Sequence, residues 1–350
     1  MTESLFNLRK HLHQHPELSG QENRTAEFIT KELKKRNPDE ILEGLGGTGV
    51  VAIFRPSHKE NEKDNEIKKR ILFRAELDAI AVSEETQSDY GSQSDGVMHG
   101  CGHDGHMAIL IGLAQKLSEK RPDQTEVILL FQPAEETGEG AISLLNDERF
   151  QKLKIDCGFA LHNLPGFKEG TVILRDGTFA CASVGVEITF IGKSSHAAYP
   201  EQGTNPARSL ISLTTEILDR FEKLNQKDPS TIVAVTFAKM GEEAFGISPG
   251  RAKMGFTIRS ASDQIIRDEL KRIEGLAESE SQRFGGEIRI KSVEPFAATV
   301  NDKSGNQLVE RAAKKLDLKM EWPDEPFPWS EDFGRFREKF PITLFGLGAG

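Results

Sequence analysis

Three separated segments carry side chains of the kinds that hold metal ions. The first is His99-Gly100-Cys101-Gly102-His103-Asp104-Gly105-His106. Cys101 and His103 are two residues apart, so in extended backbone they point the same way. The second is Phe131-Gln132-Pro133-Ala134-Glu135-Glu136-Thr137-Gly138, where an apolar run ends at Pro133 and two adjacent carboxylates follow. One of these could bind metal while the other moves protons. The third is Leu161-His162-Asn163, again at the end of an apolar run. Thiolate, imidazole and carboxylate together suit zinc or a similar transition ion. His99 and His106 could be ligands or supporting hydrogen-bonding groups. His11, His13, His15 and His58 lie on a charged helix, at its end or in a charged loop, and read as solvent-exposed.

The elements that must position these groups follow from hydrophobic periodicity. Residues 4–13, 22–35 and 105–119 read as helices; 49–54, 70–74, 127–131 and 157–161 read as short buried strands. Between 57 and 69 lies a highly charged stretch without apolar period, read as a solvated loop. Alternating strands and helices imply an α/β core with parallel strands, and the three ligand segments all fall at predicted strand ends. The middle of the chain differs. Strands at 184–190, 232–239, 252–259 and 287–293 alternate with helices at 206–225 and from Ser262, a plausible N-cap. The order β-α-β-β-α-β is the ferredoxin-like pattern. It predicts an inserted domain over 182–294, with 1–181 and 295–350 forming the other domain. The chain returns through a helix at 307–316 and ends on an apolar run at 342–347.

Two other motifs fail their context. Gly44-Leu45-Gly46-Gly47-Thr48-Gly49 fits G-x-G-x-x-G, but a strand-like run follows it where dinucleotide binding needs a helix. Ser195-His196 lacks the nucleophile-elbow pattern.

The 350 residues are too many for one simple core, which fits two domains or one with an insertion. With 37% hydrophobic and 29% charged residues, the composition is that of a soluble globular protein. A net charge of -10 argues against nucleic acid or an anionic membrane as partner. No apolar run approaches the roughly 18 residues that span a bilayer, and residues 1–18 show no signal-peptide core. Three cysteines, Cys101, Cys157 and Cys181, give no disulfide framework and point to a reducing cytoplasm.

As an ordered set, several segments resemble the aminoacylase/carboxypeptidase family of binuclear metallohydrolases. The nearest branch is the amidohydrolases that include hippurate hydrolase, auxin-conjugate hydrolase and bacterial N-acyl-amino-acid deacylases. The strongest matches are His15-Pro16-Glu17-Leu18-Ser19, Arg74-Ala75-Glu76-Leu77-Asp78-Ala79 and the Cys101 cluster; Gln132 to Glu136, Leu161-His162-Asn163, His196-Ala197-Ala198 and Ser330-Glu331-Asp332-Phe333 add to them. The resemblance implies a zinc-peptidase-like mixed α/β sheet flanked by helices, with an inserted ferredoxin-like α+β lid that often dimerises. It implies Cys101, His103, Glu136 and His162 as ligands of two divalent ions (zinc, manganese, cobalt or nickel), with Cys101 bridging. Glu135 matches the general base, Asp78 a carboxylate beside the site, His196 a lid histidine that stabilises the oxyanion, and Arg259 a group gripping the substrate carboxylate.

The implied activity is hydrolysis of an N-acyl amino acid by metal-activated water. A dipeptidase or aminopeptidase of the same family is the alternative within this class. Three departures keep a third reading open, a catalytically degenerate ligand-binding homologue. Gly246-Ile247-Ser248-Pro249 stands where the family carries Asn-Val-Ile-Pro, and Glu201 and Asn205 stand where it carries His and Asp. The family's last ligand is a histidine shortly beyond the Gly-Leu-Gly-Ala-Gly segment, within which this sequence stops at Gly350. Either the sequence continues or one metal position lacks that ligand.

Overall fold

Apolar residues at helical spacing form α1 (Thr2–Gln14) and α2 (Asn23–Lys34), whose Leu8, Leu12, Ile29 and Leu33 enter the core. The computed structural model describes residues 2–57, 67–86 and 88–350. His58 and most of the charged stretch 57–69 lie outside the described residues. The N-cap residue of α2, Glu22, makes no side-chain cap bond. Glu17 does that work from outside the helix, accepting the Thr25 N–H at 2.8 Å and its hydroxyl at 2.9 Å.

A hairpin follows, β1 (Glu40–Leu45) and β2 (Gly49–Phe54). The glycine motif is its turn: Gly46 and Gly47 have φ of 58° and 122°, open to glycine at little cost. The chain continues through β3 (Lys69–Glu76), α3 (His103–Glu119), β4 (Thr125–Gln132), the short helices α4 (Gly140–Asn146) and α5 (Glu148–Gln151), and β5 (Cys157–Leu164). Two short strands, β6 (Val172–Ile173) and β7 (Gly177–Ala180), come next. The middle of the chain comprises β8 (Ala182–Ile191), β9 (Ser195–His196), α6 (Ala207–Asn225), β10 (Ile232–Met240), β11 (Ile247–Ser248), β12 (Arg251–Ser260), α7 (Asp263–Phe284) and β13 (Glu287–Phe296). The return runs through β14 (Thr299–Asn301), α8 (Lys303–Lys315), β15 (Met320–Glu321), a 3-10 helix at Asp332–Glu338 and β16 (Ile342–Gly348).

The chain forms two compact units. Met1–Phe179, Thr299–Asp324 and Glu331–Gly350 make the first; Ala180–Ala298 and Glu325–Ser330 make the second. The first is built on an eight-stranded mixed sheet in the order β1-β2-β4-β3-β5-β16-β6-β15. Its centre, β4-β3-β5-β16, is parallel, as the alternation of strands and helices implies. The pairs β1/β2, β2/β4 and β16/β6 are antiparallel and the edge pair β6/β15 is parallel, so the sheet is mixed, as the resemblance implies. β2 and β4 are buried almost throughout, which is why they read as continuous apolar runs.

In the second unit the strand order β10-β12-β8-β13, all antiparallel, together with the chain order β-α-β-β-α-β, is the ferredoxin-like arrangement. Val184, Val186, Ile188 and Phe190 of β8 are buried, as are Leu213, Ile217 and Phe221 of α6 and Ile266, Ile273 and Ala277 of α7. Ser262 caps α7 by accepting the Ile265 N–H, and Gly285 ends it at φ 69°.

Candidate metal centre

Because β3, β4 and β5 run parallel, their carboxyl ends emerge at one edge of the sheet, with Glu76 opposite Gln132 and Arg74 opposite Ala160. Asp78 lies just beyond β3, Glu135 and Glu136 just beyond β4, and His162 within the last residues of β5. Cys101 precedes α3 and His103 opens it. Between them Gly102 sits at φ 84°, where an added Cβ would stand 2.4 Å from Asn163 Oδ1; only glycine fits. Ala134, before the carboxylate pair, has φ 49° and turns the chain so that both glutamates follow directly.

His103 is at the centre. Its Nδ1 lies 2.8 Å from the Asp78 carbonyl oxygen, so that nitrogen carries the proton and Nε2 is the lone-pair nitrogen. Nε2 is 3.7 Å from Glu135 Oε2 and 3.8 Å from Glu136 Oε1. The Cys101 thiol lies against the Glu136 carboxylate. The His162 ring is 6.4 Å from that of His103, and its Nδ1 is 2.8 Å from the Asn163 carbonyl oxygen. Asp78 Oδ2 accepts the Glu136 N–H at 2.9 Å and the Ser19 hydroxyl at 2.7 Å, so this carboxylate fixes the Glu136 backbone from behind. Cys101, His103, Glu135, Glu136, His162 and Asp78 are thus gathered in the first unit.

Charge at the site is unbalanced. Burial alone would lower the His103 pKa, but Glu76, Asp78 and Glu136 outweigh it and raise it. Burial, then the Glu331 and Asp332 carboxylates, push Glu135 well above the usual carboxylate range against the pull of Arg74. Burial also raises Glu136, and burial followed by Glu136 raises the Cys101 thiol. His162 is lowered to about 4 by burial and then by His106, so it is neutral, the form that ligates. Behind them Arg74 is fully buried. It bonds Glu331 at 2.8 and 3.1 Å, Asp332 at 2.7 Å, Gln132 at 2.9 Å, and Glu76. Three carboxylates face one guanidinium there, a surplus of negative charge that favours a further cation nearby.

The residues fit a metal ion. His103 Nε2 and Glu136 Oε1 are both buried without a hydrogen-bond partner. Two atoms ligating one ion at about 2.0–2.2 Å each can be no more than roughly 4.4 Å apart, and these are 3.8 Å apart. Leaving both orphaned would be costly, and an ion satisfies them together.

Comparison with known proteins decides the family. The family model described as Peptidase family M20/M25/M40 matches residues 72–350. The chain belongs to that family. An uncharacterized hydrolase of Staphylococcus aureus is 32% identical over 344 residues, 96% of this chain and 86% of that protein. A protein of Enterococcus faecalis named N-acetyldiaminopimelate deacetylase is 29% identical over 351 residues, 99% of this chain and 89% of its own. Among solved structures, a dinuclear metal-binding peptidase of family M20 from Bacillus subtilis matches with a TM-score of 0.78 at 28% identity, covering 99% of this chain and 88% of that one. As a member of family M20, the chain is a metallohydrolase of amide bonds, and His103, Glu135 and Glu136 present ligand atoms close enough together to hold a metal ion.

Two sequence-derived candidates of this M20 chain belong to the second unit. His196 is exposed on β9, its Nδ1 accepting the Ala198 N–H at 3.0 Å. Arg259, on β12, donates to the Pro328 carbonyl at 3.2 Å and the Ser330 hydroxyl at 3.0 Å. His106 has both ring nitrogens engaged, Nδ1 with Glu76 at 2.7 Å and Nε2 with Asn163, which makes it a supporting group. His99 is buried and lowered to about 3 by burial. His13 is not solvent-exposed: it is buried and bridges Asp104 at 3.0 Å and Glu84 at 3.2 Å. The charged helix around it hid that α3 packs over this face. Sequence reasoning gave no separate role to Arg74, Glu76, Gln132, Glu331 or Asp332. The available signal was charge inside an apolar strand, in Ile71-Leu72-Phe73-Arg74-Ala75-Glu76, where an ionised group must have buried partners.

Proposed function

We propose that this chain cleaves the amide bond of N-acyl amino acids, with two divalent ions held by Cys101, His103, Glu136 and His162 and with Glu135 as general base. The observation that carries this reading is the facing pair of buried, hydrogen-bond-free ligand atoms on His103 and Glu136, with Glu135 beside them. The relative named N-acetyldiaminopimelate deacetylase supports an N-acyl substrate. Thiolate and imidazole favour zinc among zinc, manganese, cobalt and nickel.

Bound at this site, a divalent ion would polarise the amide carbonyl and ease deprotonation of water. Glu135 removes the proton from the attacking water and returns it to the leaving amine. Its raised proton affinity, from burial beside Glu331 and Asp332, brings it nearer the range in which one group can do both. The Asp332 N–H, 3.4 Å from Glu135 Oε1, steadies one oxygen while Oε2 faces His103. Asp78 orients His103 and Glu136. His196 is assigned to the oxyanion and Arg259 to the substrate carboxylate, on the match of their segments to the family's lid.

A homodimer through the second unit is supported by β10, an edge strand exposing Ile232, Val235 and Met240. No disulfide forms among the described residues, and this supports a cytoplasmic location. No helix among the described residues is long and apolar enough to cross a membrane.

The test is hydrolysis of a panel of N-acetyl and N-benzoyl amino acids and dipeptides after loading with zinc, manganese, cobalt or nickel, with Glu135→Gln as control. Turnover of an N-acyl amino acid that the variant loses while keeping its metal is expected. A loaded protein no faster than the variant refutes the reading, and preference for dipeptides replaces it with a dipeptidase. Near-zero metal after supplementation favours a ligand-binding protein.

A further inference from the structure

The turn carrying Glu135 and Glu136 is held by its own backbone N–H groups. Ala134 adopts a left-handed conformation that L residues rarely take without outside support. Its N–H is accepted at 2.9 Å by Glu22 Oε1, a carboxylate with no solvent exposure. Two residues on, the Glu136 N–H is accepted by Asp78 Oδ2. Both carboxylates are tied to the short connection between α1 and α2. Glu22 belongs to it, and its other hydrogen bonds come from the Gly20 N–H at 2.8 Å and the Thr48 hydroxyl at 2.8 Å. Ser19, also in it, donates to Asp78 Oδ2 at 2.7 Å. The Ala79 N–H reaches back to the Glu17 carbonyl at 2.9 Å, pairing this connection with the segment after β3. One short segment thus fastens the loops after β3 and β4, which supply Asp78, Glu135 and Glu136.

We propose that this connection, residues 17–22, is a brace that sets the metal-site turn, with Glu22 as its positioning residue acting through Ala134. Glu22 touches no ligand. It fixes the turn whose direction puts Glu135 Oε2 and Glu136 Oε1 within 3.7 and 3.8 Å of His103 Nε2. The metal-site role of that turn rests on the function proposed above; the mechanical role of Glu22 does not.

The experiment compares wild type, Glu22→Ala and Glu22→Gln by Co²⁺ titration against a chromophoric chelator, and by hydrogen–deuterium exchange of the 134–136 amides in metal-free protein. Outer partners of ligands are typically worth about 10–100-fold in metal affinity, and Glu22→Ala should lose affinity in that range. Glu22→Gln should restore it, because its amide oxygen can accept the Ala134 N–H and its NH₂ can donate to Thr48. The 134–136 amides should exchange faster in Glu22→Ala and not in Glu22→Gln. A merely structural role would lower the melting temperature and leave the dissociation constant in place. Co²⁺ affinity and 134–136 exchange in Glu22→Ala both at wild-type values overturn the proposal. If wild type binds no Co²⁺, the proposed function falls and the exchange comparison alone decides the brace. Should Glu22→Ala fail to fold, Ser19→Ala and Thr48→Val, which each delete one hydroxyl, take its place. A loss of affinity or faster 134–136 exchange in either upholds the brace, and wild-type values in both overturn it.

Discussion

Replacing Arg74 by Met removes the one guanidinium from a cluster that keeps its carboxylates. The side chain is fully buried, and its partners Glu76, Glu331 and Asp332 are buried with it. Stranding one side of such a network costs about 3–5 kcal/mol. At roughly 2–4 °C per kcal/mol for a unit of some 150–250 residues, the melting temperature should fall by about 6–20 °C. The pH dependence gives a second check. For both Glu76 and Glu331, burial pushes the pKa up, but Arg74 acting together with His106 and His103 at Glu76, and with His162 at Glu331, holds it below the ordinary value. Their ionised forms therefore contribute stability above the unfolded pKa of about 4.3, and that contribution is lost as pH falls through the lower folded value. Without Arg74 the same carboxylates become groups that burial penalises when charged. The gap between wild type and variant should be widest near neutral pH and shrink towards pH 4, read by thermal melts of metal-free protein across that range. Arg74→Lys should recover part of the loss, since an ammonium supplies charge but not the fork that spans Glu331 and Asp332. A variant melting within about 2 °C of wild type at pH 7, against the several degrees the magnitude above requires, or a gap flat with pH, would refute this account of the network.

Gly102→Ala should destabilise by about 2–3 kcal/mol, the sum of a left-handed alanine and displacement of the Asn163 side chain from His106; a melt unchanged from wild type would show that the α3 entry has slack. Glu17→Ala should cost about 1–2 kcal/mol by uncapping α2, measured by urea unfolding, with the slope m unchanged. Metal binding should release protons and tighten as pH rises, because burial keeps the Cys101 thiol protonated and raises the proton affinity of Glu136. Calorimetric titration in buffers of different ionisation heat reads this, and a buffer-independent enthalpy would contradict it. Saturating metal at about 100 times its dissociation constant should stabilise the protein by roughly 2.7 kcal/mol, removed by a chelator.

The candidate segments were legible because each is local: Cys101 and His103 are neighbours, and Glu135 and Glu136 are adjacent; Glu135, Glu136 and His162 lie at the ends of the apolar runs that form β4 and β5, whereas the Cys101 segment, also expected at a strand end, instead leads into α3. The order of the middle strands was legible for the same reason, since alternation and helical spacing are short-range signals. The Arg74 cluster was not, because its partners are joined only by the sheet and by the 3-10 helix at Asp332–Glu338. The strand β1 was missed because it is charged and only partly buried, an edge element stabilised by pairing with β2. The burial of His13 was missed because its surroundings in sequence are polar while its neighbours in space are Asp104 and Glu84.

Arg74 also sets an order of events during synthesis. Two of its three carboxylate partners lie 257 and 258 residues further along the chain. At about 5–20 residues per second the ribosome needs roughly 13 to 50 s to make that interval. Throughout it, β3 can pair with β4 and β5, but the guanidinium behind the proposed metal ligands lacks most of its counter-charge. A nascent chain holding the proposed ligands Cys101, His103, Glu136 and His162 therefore lacks their finished backing, which is complete only after Glu331 and Asp332 have left the ribosome.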